Sequence, residues 1–218
     1  MCHRFTLRSA PDALMRQLHI DFAHELPDEL FSGAKDRYPL SQVVVVRSTA
    51  EHEREMTSMQ WGLVPFWFDA AKQQSKPSSY VRKYSTYNAT CEKAHQLPTY
   101  RAAFKSRRCL VPATRFFEPF GKGGNWFELQ DEQPIVFAGL WDDWKQEDTA
   151  ITSCTILTTA ANTLVAENRT GRERMPVILA TEEARRRWLD PDITERQPLE
   201  SLFEPTAANA MKCYAATP

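Results

Sequence analysis

The second residue of this 218-residue chain is a cysteine, in Met1-Cys2-His3-Arg4-Phe5. A small residue at position 2 favours removal of Met1, which leaves Cys2 with a free α-amine and a thiol on adjacent carbons. An α-amine titrates near 7.7–8.0, so on the order of a tenth of it is neutral and nucleophilic at pH 7, where a lysine amine is almost wholly protonated. Amine and thiol together react with an aldehyde in two steps. The amine forms a Schiff base, and the thiol then closes a five-membered thiazolidine, an intramolecular step of low entropic cost. Taken by itself, Cys2 reads as the residue that happens to follow an initiator. Its meaning rests on what the rest of the chain supplies.

Other familiar chemistry is missing from the sequence. Cys2, Cys91, Cys109, Cys154 and Cys213 are odd in number and scattered, with no Cys-x-x-Cys pair. That excludes a disulfide framework and a zinc knuckle, and leaves most of them as buried apolar fillers. His3, His19, His24, His52 and His95 lack metal-ligand spacing, so no metal and no cofactor is expected. Neither Gly-x-Ser-x-Gly nor His-Glu-x-x-His occurs. Gly121-Lys122-Gly123-Gly124 is read as a hairpin turn, because no Gly-Lys-Ser/Thr opening a helix follows it.

Two features bear on a polyanionic partner. Trp61, Phe66, Trp67 and Phe68 crowd around Pro65. They are either a corner of the core or a wedge on which nucleic-acid bases stack. Basic residues fall in three groups: Arg82-Lys83, Lys105 with Arg107 and Arg108, and Arg169, Arg172 and Arg174. Each is a solvated face or part of a phosphate-binding groove. With 27 basic and 28 acidic residues the formal net charge is −1, so any nucleic-acid contact has to come from a local patch. The longest aliphatic run, Val43 to Val46, is far too short for a membrane span, and the N-terminus has no signal-peptide core. A cytoplasmic protein is expected.

The elements that must position these residues are mostly short strands. Val43–Val46, Met59–Leu63, Cys109–Val111, Ile135–Leu140, Ile151–Thr159, Val177–Leu179 and Met211–Tyr214 read as strands. Thr114–Phe120 and Trp126–Leu129 flank the glycine turn. A capped helix is expected after Ser9-Ala10-Pro11-Asp12 and another over Thr181–Leu189, while Lys72–Ser79 reads as a loop. No linker or repeat stands out. The class is α+β with a mostly antiparallel sheet, a single domain over residues 1–218.

A series of short matches gives Cys2 a context. Met-Cys-x-Arg-Phe at the start, Trp61-Gly62-Leu63-Val64-Pro65 with Trp67, and Asn88-Ala89 followed by Glu92 resemble the SRAP family (SOS-response-associated peptidase; abasic-site DNA–protein crosslinking proteins). So do Arg107–Ala113, Phe116-Phe117-Glu118, Phe137–Trp141, Thr155–Asn162 and Arg174–Leu179. Each is weak alone, but their order from residue 1 to about residue 180 is specific. The resemblance implies a twisted, barrel-like antiparallel sheet with peripheral helices and a basic cleft for single-stranded DNA. It implies capture of the abasic-site aldehyde by Cys2 as a thiazolidine during the DNA-damage (SOS) response, by a monomer. Carried over by position, Glu118 is the acid/base and Asn88 orients the lesion or the amine. Arg4 and Arg174 contact phosphates, Trp67 is the wedge, and Arg108 is expected on the same concave face.

The chain departs from the family pattern at several positions. His3 stands where glycine is usual, Thr90 replaces an arginine, and Pro119 replaces a tryptophan. Arg172 occupies the place of a histidine two residues before Arg-Met-Pro; it keeps charge and hydrogen-bond donors but cannot relay a proton at neutral pH. These departures mark a diverged bacterial- or phage-type member with weakened chemistry. Two alternatives stay open: a cysteine-dependent (auto)peptidase or lyase, and a non-catalytic single-stranded DNA-binding module.

Overall fold

Val43, Val44, Val45 and Val46 are all buried, with Val43 and Val45 in one apolar cluster and Val44 and Val46 in another. Side chains along a strand alternate between its faces, so a strand with four consecutive buried valines must be covered on both sides. The rest of the architecture supplies those two covers. The computed structural model describes residues 2–171 and 173–216.

In chain order the strands are β1 (Phe5–Thr6), β2 (Phe22–Ala23), β3 (Gln42–Ser48), β4 (Arg54–Trp61), β5 (Asn88–Thr90) and β6 (Arg108–Ala113). They continue with β7 (Arg115–Phe120), β8 (Gly123–Leu129), β9 (Ile135–Gln146), β10 (Thr149–Ala160), β11 (Arg174–Pro176) and β12 (Met211–Ala215). The helices are α1 (Pro11–Gln17), α2 (Pro77–Tyr84), α3 (Arg101–Ser106), α4 (Thr163–Glu167) and α5 (Glu182–Leu189). The larger sheet runs β11-β10-β9-β6-β3-β4-β2, and β10 also pairs with β4. That extra pairing is parallel, with Ser153 opposite Gln60 and Cys154 opposite Trp61. It closes β3, β4, β10, β9 and β6 into a five-stranded barrel, in which these strands present no open edge to one another. All the other barrel pairings are antiparallel.

A barrel of five strands has room inside only for side chains. The cluster holding Val43, Val45, Cys109, Val111, Phe137, Cys154 and Ile156 is therefore the interior. The opposite cluster includes Leu14 of α1, Phe104 of α3 and Trp188 of α5, so the helices pack outside. A second sheet of order β1-β7-β8-β12 contributes Phe5, Phe116 and Phe127 to the interior cluster. Phe116 stacks on Phe127 at 5.2 Å, and both Phe5 and Phe116 meet Phe137 edge-on.

Two glycines carry close approaches. Gly62 has φ +135°, and a Cβ there would lie 2.5 Å from Val81, so only glycine lets the chain leave β4 against α2. A Cβ on Gly124 would lie 2.0 Å from the Phe117 ring, so glycine here lets β8 run beneath that ring.

The structure agrees with most expected elements, including the hairpin at the glycine turn and the antiparallel α+β class. Three local readings change. Helix α1 forms, but its N-cap is Ala10 with no side-chain cap; Pro11 at the first turn supplies the start signal. The expected Lys72–Ser79 loop gives way at Pro77 to α2, again opened by proline. The strand expected at Val177–Leu179 lies three residues earlier, at Arg174–Pro176, and Ile178 makes only an isolated bridge to Phe137. Among the described residues no helix is long and apolar enough to cross a membrane.

Candidate active site

The position of Cys2 follows from the pairing of β1 with β7. Phe5 lies opposite Phe116 and Thr6 opposite Arg115. Continued backward, that antiparallel register sets residues 2–4 beside 117–119, and the Phe117 amide donates to the Arg4 carbonyl at 2.9 Å. Asn88 arrives from another direction. Past Cys154, where β10 pairs with Trp61 of β4, its next residues pair with β5 instead, Ile156 opposite Asn88. There the side-chain amide of Asn88 donates to the Cys2 carbonyl oxygen at 2.6 Å. The barrel, the second sheet and the split of β10 together gather Cys2, Asn88 and Glu118.

All three are buried, Cys2 and Glu118 fully. The Cys2 thiol donates a long hydrogen bond, 3.6 Å, to the Arg4 carbonyl. Burial pushes this thiol far above its ordinary value and the negative charge of Glu118 pushes it further. At neutral pH it is therefore S–H, and any reaction through sulfur needs a base to take that proton.

One site residue had been noted in the sequence only as part of a basic group. Arg169 is buried and holds Glu118, its Nε at 3.2 Å and its Nη2 at 2.9 Å from the same carboxylate oxygen, Oε2. Spacing within Arg169, Arg172 and Arg174 does not tell which arginine turns inward; only the path of the chain after α4 decides it. Arg172 itself lies outside the described residues.

The expected phosphate ligands separate. Arg4 is partly exposed beside the site, its guanidinium carbon 4.7 Å from the Phe117 ring centre and 4.8 Å from that of Trp126. It is also paired with Asp36. Such a cation packed against two aromatic rings is preoriented at little entropic cost. Arg174 is partly exposed on β11 and forms a two-pronged pair with Glu92, at 3.1 and 2.8 Å, while its Nε donates to Thr158. Although burial works the other way, the Arg174 hydrogen bonds hold the Glu92 carboxyl below its ordinary value.

Arg108 corrects the expectation of a third cleft arginine. It shares a face of β6 with Leu110, which packs in the outer, helix-bearing cluster, while its neighbours Cys109 and Val111 face the interior cluster that contains Cys2. Its guanidinium is buried and donates to the carbonyls of Phe104, Lys105, Trp188 and Asp190. Burial lowers it to about 10, still charged at neutral pH. It ties the end of α3 to the end of α5 and cannot reach a ligand at Cys2.

The aromatic corner divides between the two readings of it. Trp61 and Phe68 are core, whereas Phe66 and Trp67 are 55% and 41% exposed. Trp67 donates through its indole to the Pro98 carbonyl at 3.1 Å, and the Phe66 amide is held by Asp142 at 3.1 Å. Trp67 sits between two hollows. One, of about 440 Å³, is lined by Tyr80, Tyr84, Thr86 and Tyr100; the other, of about 480 Å³, by Phe66 and Arg101. Tyr100 joins the first hollow to the site, since its hydroxyl donates to the Asn88 carbonyl at 3.4 Å. Among the described residues no group of His, Cys, Asp or Glu could hold a metal ion.

Known proteins resemble this chain along its whole length. The family model described as SOS response associated peptidase (SRAP) matches residues 1–218. Abasic site processing protein YoqW of Bacillus subtilis (strain 168) is 32% identical, over 98% of this chain and 91% of that protein. Abasic site processing protein YobE of the same organism is 30% identical over 98% of this chain and 93% of its own length. A crystal structure of a Bordetella bronchiseptica protein matches with a TM-score of 0.81 at 25% identity, covering 99% of this chain and 100% of the other. One from Bacteroides thetaiotaomicron, at 23% identity and a TM-score of 0.86, covers 99% and 92% and shows the shared fold.

Proposed function

This chain belongs to the SOS response associated peptidase (SRAP) family, and from that premise we propose that it processes abasic sites in DNA by trapping the lesion's aldehyde on Cys2. The observation that carries the proposal is the convergence of Cys2, Asn88 and Glu118, brought from three separate segments into one buried site. A nucleophile pair, an amide to fix it and a carboxylate to move protons are what the aldehyde reaction needs.

The reaction requires Met1 to be removed, so that the Cys2 amine is free. Its nitrogen adds to the aldehyde carbon, and the carbonyl electron pair becomes a hydroxyl by taking up a proton. Glu118 relays both amine protons to that oxygen, the first as the hydroxyl forms and the second as the imine forms and the oxygen leaves as water. The thiol sulfur then bonds to the imine carbon, and its proton passes, again by way of Glu118, to the nitrogen. The sum is aldehyde plus aminothiol giving thiazolidine plus one water. Asn88 holds the Cys2 backbone still while this occurs. Arg4 and Arg174 meet the flanking phosphates of a single strand, and Trp67 stacks on a neighbouring base.

Intact mass of the protein, alone and after incubation with a single-stranded oligonucleotide carrying one abasic site, tests this. The expected result is loss of Met1 and a stable adduct at the mass of protein plus DNA minus one water. Cys2→Ala keeps an amine and is expected to give only a borohydride-trapped adduct. A stable adduct of equal yield in Cys2→Ala overturns the thiazolidine. Cleavage of a peptide without any adduct would favour the peptidase reading, and reversible, salt-sensitive binding alone would favour a binding module.

A further inference from the structure

We propose that Arg169 is a second catalytic group of this site: its Nη1 takes the oxygen of the captured aldehyde as the Cys2 amine adds to it. The assignment rests on the abasic-site reading above.

Two of the three guanidinium nitrogens are committed, since Nε and Nη2 both donate to Glu118 Oε2. The third, Nη1, is buried and has no hydrogen-bond partner among the described residues. A buried N–H donor without an acceptor costs folding free energy, and arginine carries the most demanding set of donors. A buried donor left without an acceptor calls for an explanation, and a catalytic role is one. Here the ligand has to be an acceptor oxygen, because guanidinium only donates. Arg169 is anchored on Glu118, and the β1–β7 register sets the segment holding Glu118 beside residues 2–4, so this guanidinium belongs to the same buried site as Cys2. Asn88 Oδ1 is also buried and has no hydrogen-bond partner among the described residues, so it can accept from a donor.

The chemistry that fits is the carbinolamine step. As the amine nitrogen bonds to the aldehyde carbon, the C=O electron pair moves onto oxygen. A fixed cation beside that oxygen stabilises the charge while it develops, without itself giving up a proton. The proton that completes the hydroxyl comes from the former amine through Glu118, held in place by the same guanidinium. The labour is thus divided: Arg169 supplies charge and Glu118 supplies proton transfer. A fixed cation in this role predicts a reaction whose pH dependence carries no limb from that cation.

The test is single-turnover adduct formation with abasic single-stranded DNA, from about pH 5.5 to 8.5, for wild type and Arg169 variants. Arg169→Gln is expected to slow the reaction by about 100-fold. Because it strands Glu118, Arg169→Gln with Glu118→Gln is measured beside it, and thermal melting establishes that each is folded. Arg169→His is expected to react at low pH and lose rate as pH rises through about 6.5, where imidazolium loses its charge. A merely structural role for Arg169 would not create that limb. An Arg169→Gln protein that is folded and forms adduct at the wild-type rate overturns the assignment, as does an Arg169→His profile parallel to wild type. If wild type itself forms no adduct, the abasic-site reading falls, and this assignment falls with it.

Discussion

Asn88 Nδ2 lies 2.6 Å from the carbonyl oxygen of Cys2. This bond joins residues 86 positions apart and ties the Cys2 backbone to β5. Removing one partner of a buried hydrogen bond costs about 1–3 kcal/mol. Asn88→Ala is therefore expected to slow adduct formation by about one to two orders of magnitude, through a less well-positioned Cys2. Asn88→Asp is expected to be worse, because it sets an acceptor against an acceptor. Quench-flow gels of adduct against time give both rates, and wild-type rates in Asn88→Ala would remove this residue from the site.

The three arginines expected on one face divide into two behaviours. Arg4→Ala and Arg174→Ala are each expected to reduce the slope of log affinity against log salt for single-stranded DNA by about 0.7. Arg108→Met is expected to leave that slope unchanged and to lower stability by about 2–4 kcal/mol, because four backbone carbonyls lose their donor. Fluorescence anisotropy titrations over a salt series, with urea melts of the same proteins, separate the two. A reduced salt slope in a folded Arg108→Met would place that residue on the DNA.

Trp67 offers an exposed indole between two hollows. Base–aromatic stacking is worth about 1–3 kcal/mol per base, so Trp67→Ala is expected to weaken single-strand binding by about 5- to 150-fold with the melting temperature little changed. Fully buried Trp61, whose indole donates to Tyr87 O at 2.8 Å, is expected to do the reverse when truncated. Undiminished binding by Trp67→Ala would refute the stacking role.

Stability should decline in alkali. Burial pushes the thiols of Cys2, Cys109 and Cys154 above their ordinary values; at Cys2 the charge of Glu118 adds to this, and at Cys109 the neighbouring Cys154 does. Above about pH 8.5 the unfolded chain loses these protons while the folded chain keeps them. The unfolded state then binds fewer protons, so unfolding free energy falls by about 1.4 kcal/mol per pH unit per thiol. The contribution is fully present below the unfolded value and is lost as pH rises. Urea midpoints under reducing conditions at about pH 7.5 and 9.5 check the slope, and Cys154→Ala is expected to flatten it. A midpoint that holds steady to pH 9.5 would mean these thiols ionise within the fold.

The sequence by itself determined most of the elements and singled out Cys2 as the candidate nucleophile. Four valines in a row demand a strand covered on both faces, glycines after Phe120 make the β7–β8 hairpin, and Cys2, Asn88 and Glu118 stand in short motifs that resemble one family. These are local signals: periodicity, turn chemistry and residue identity act within a few positions. What tertiary structure decided is which charges face the site. Arg108 and Arg169 look alike in sequence, each within a cluster of basic residues. The alternation of β6 sends Arg108 outward to four carbonyls beneath the helices, while the chain beyond α4 turns Arg169 inward onto Glu118. A guanidinium can donate to carboxylate, carbonyl or phosphate alike, so its partner is set by long-range packing, on which composition and spacing are silent.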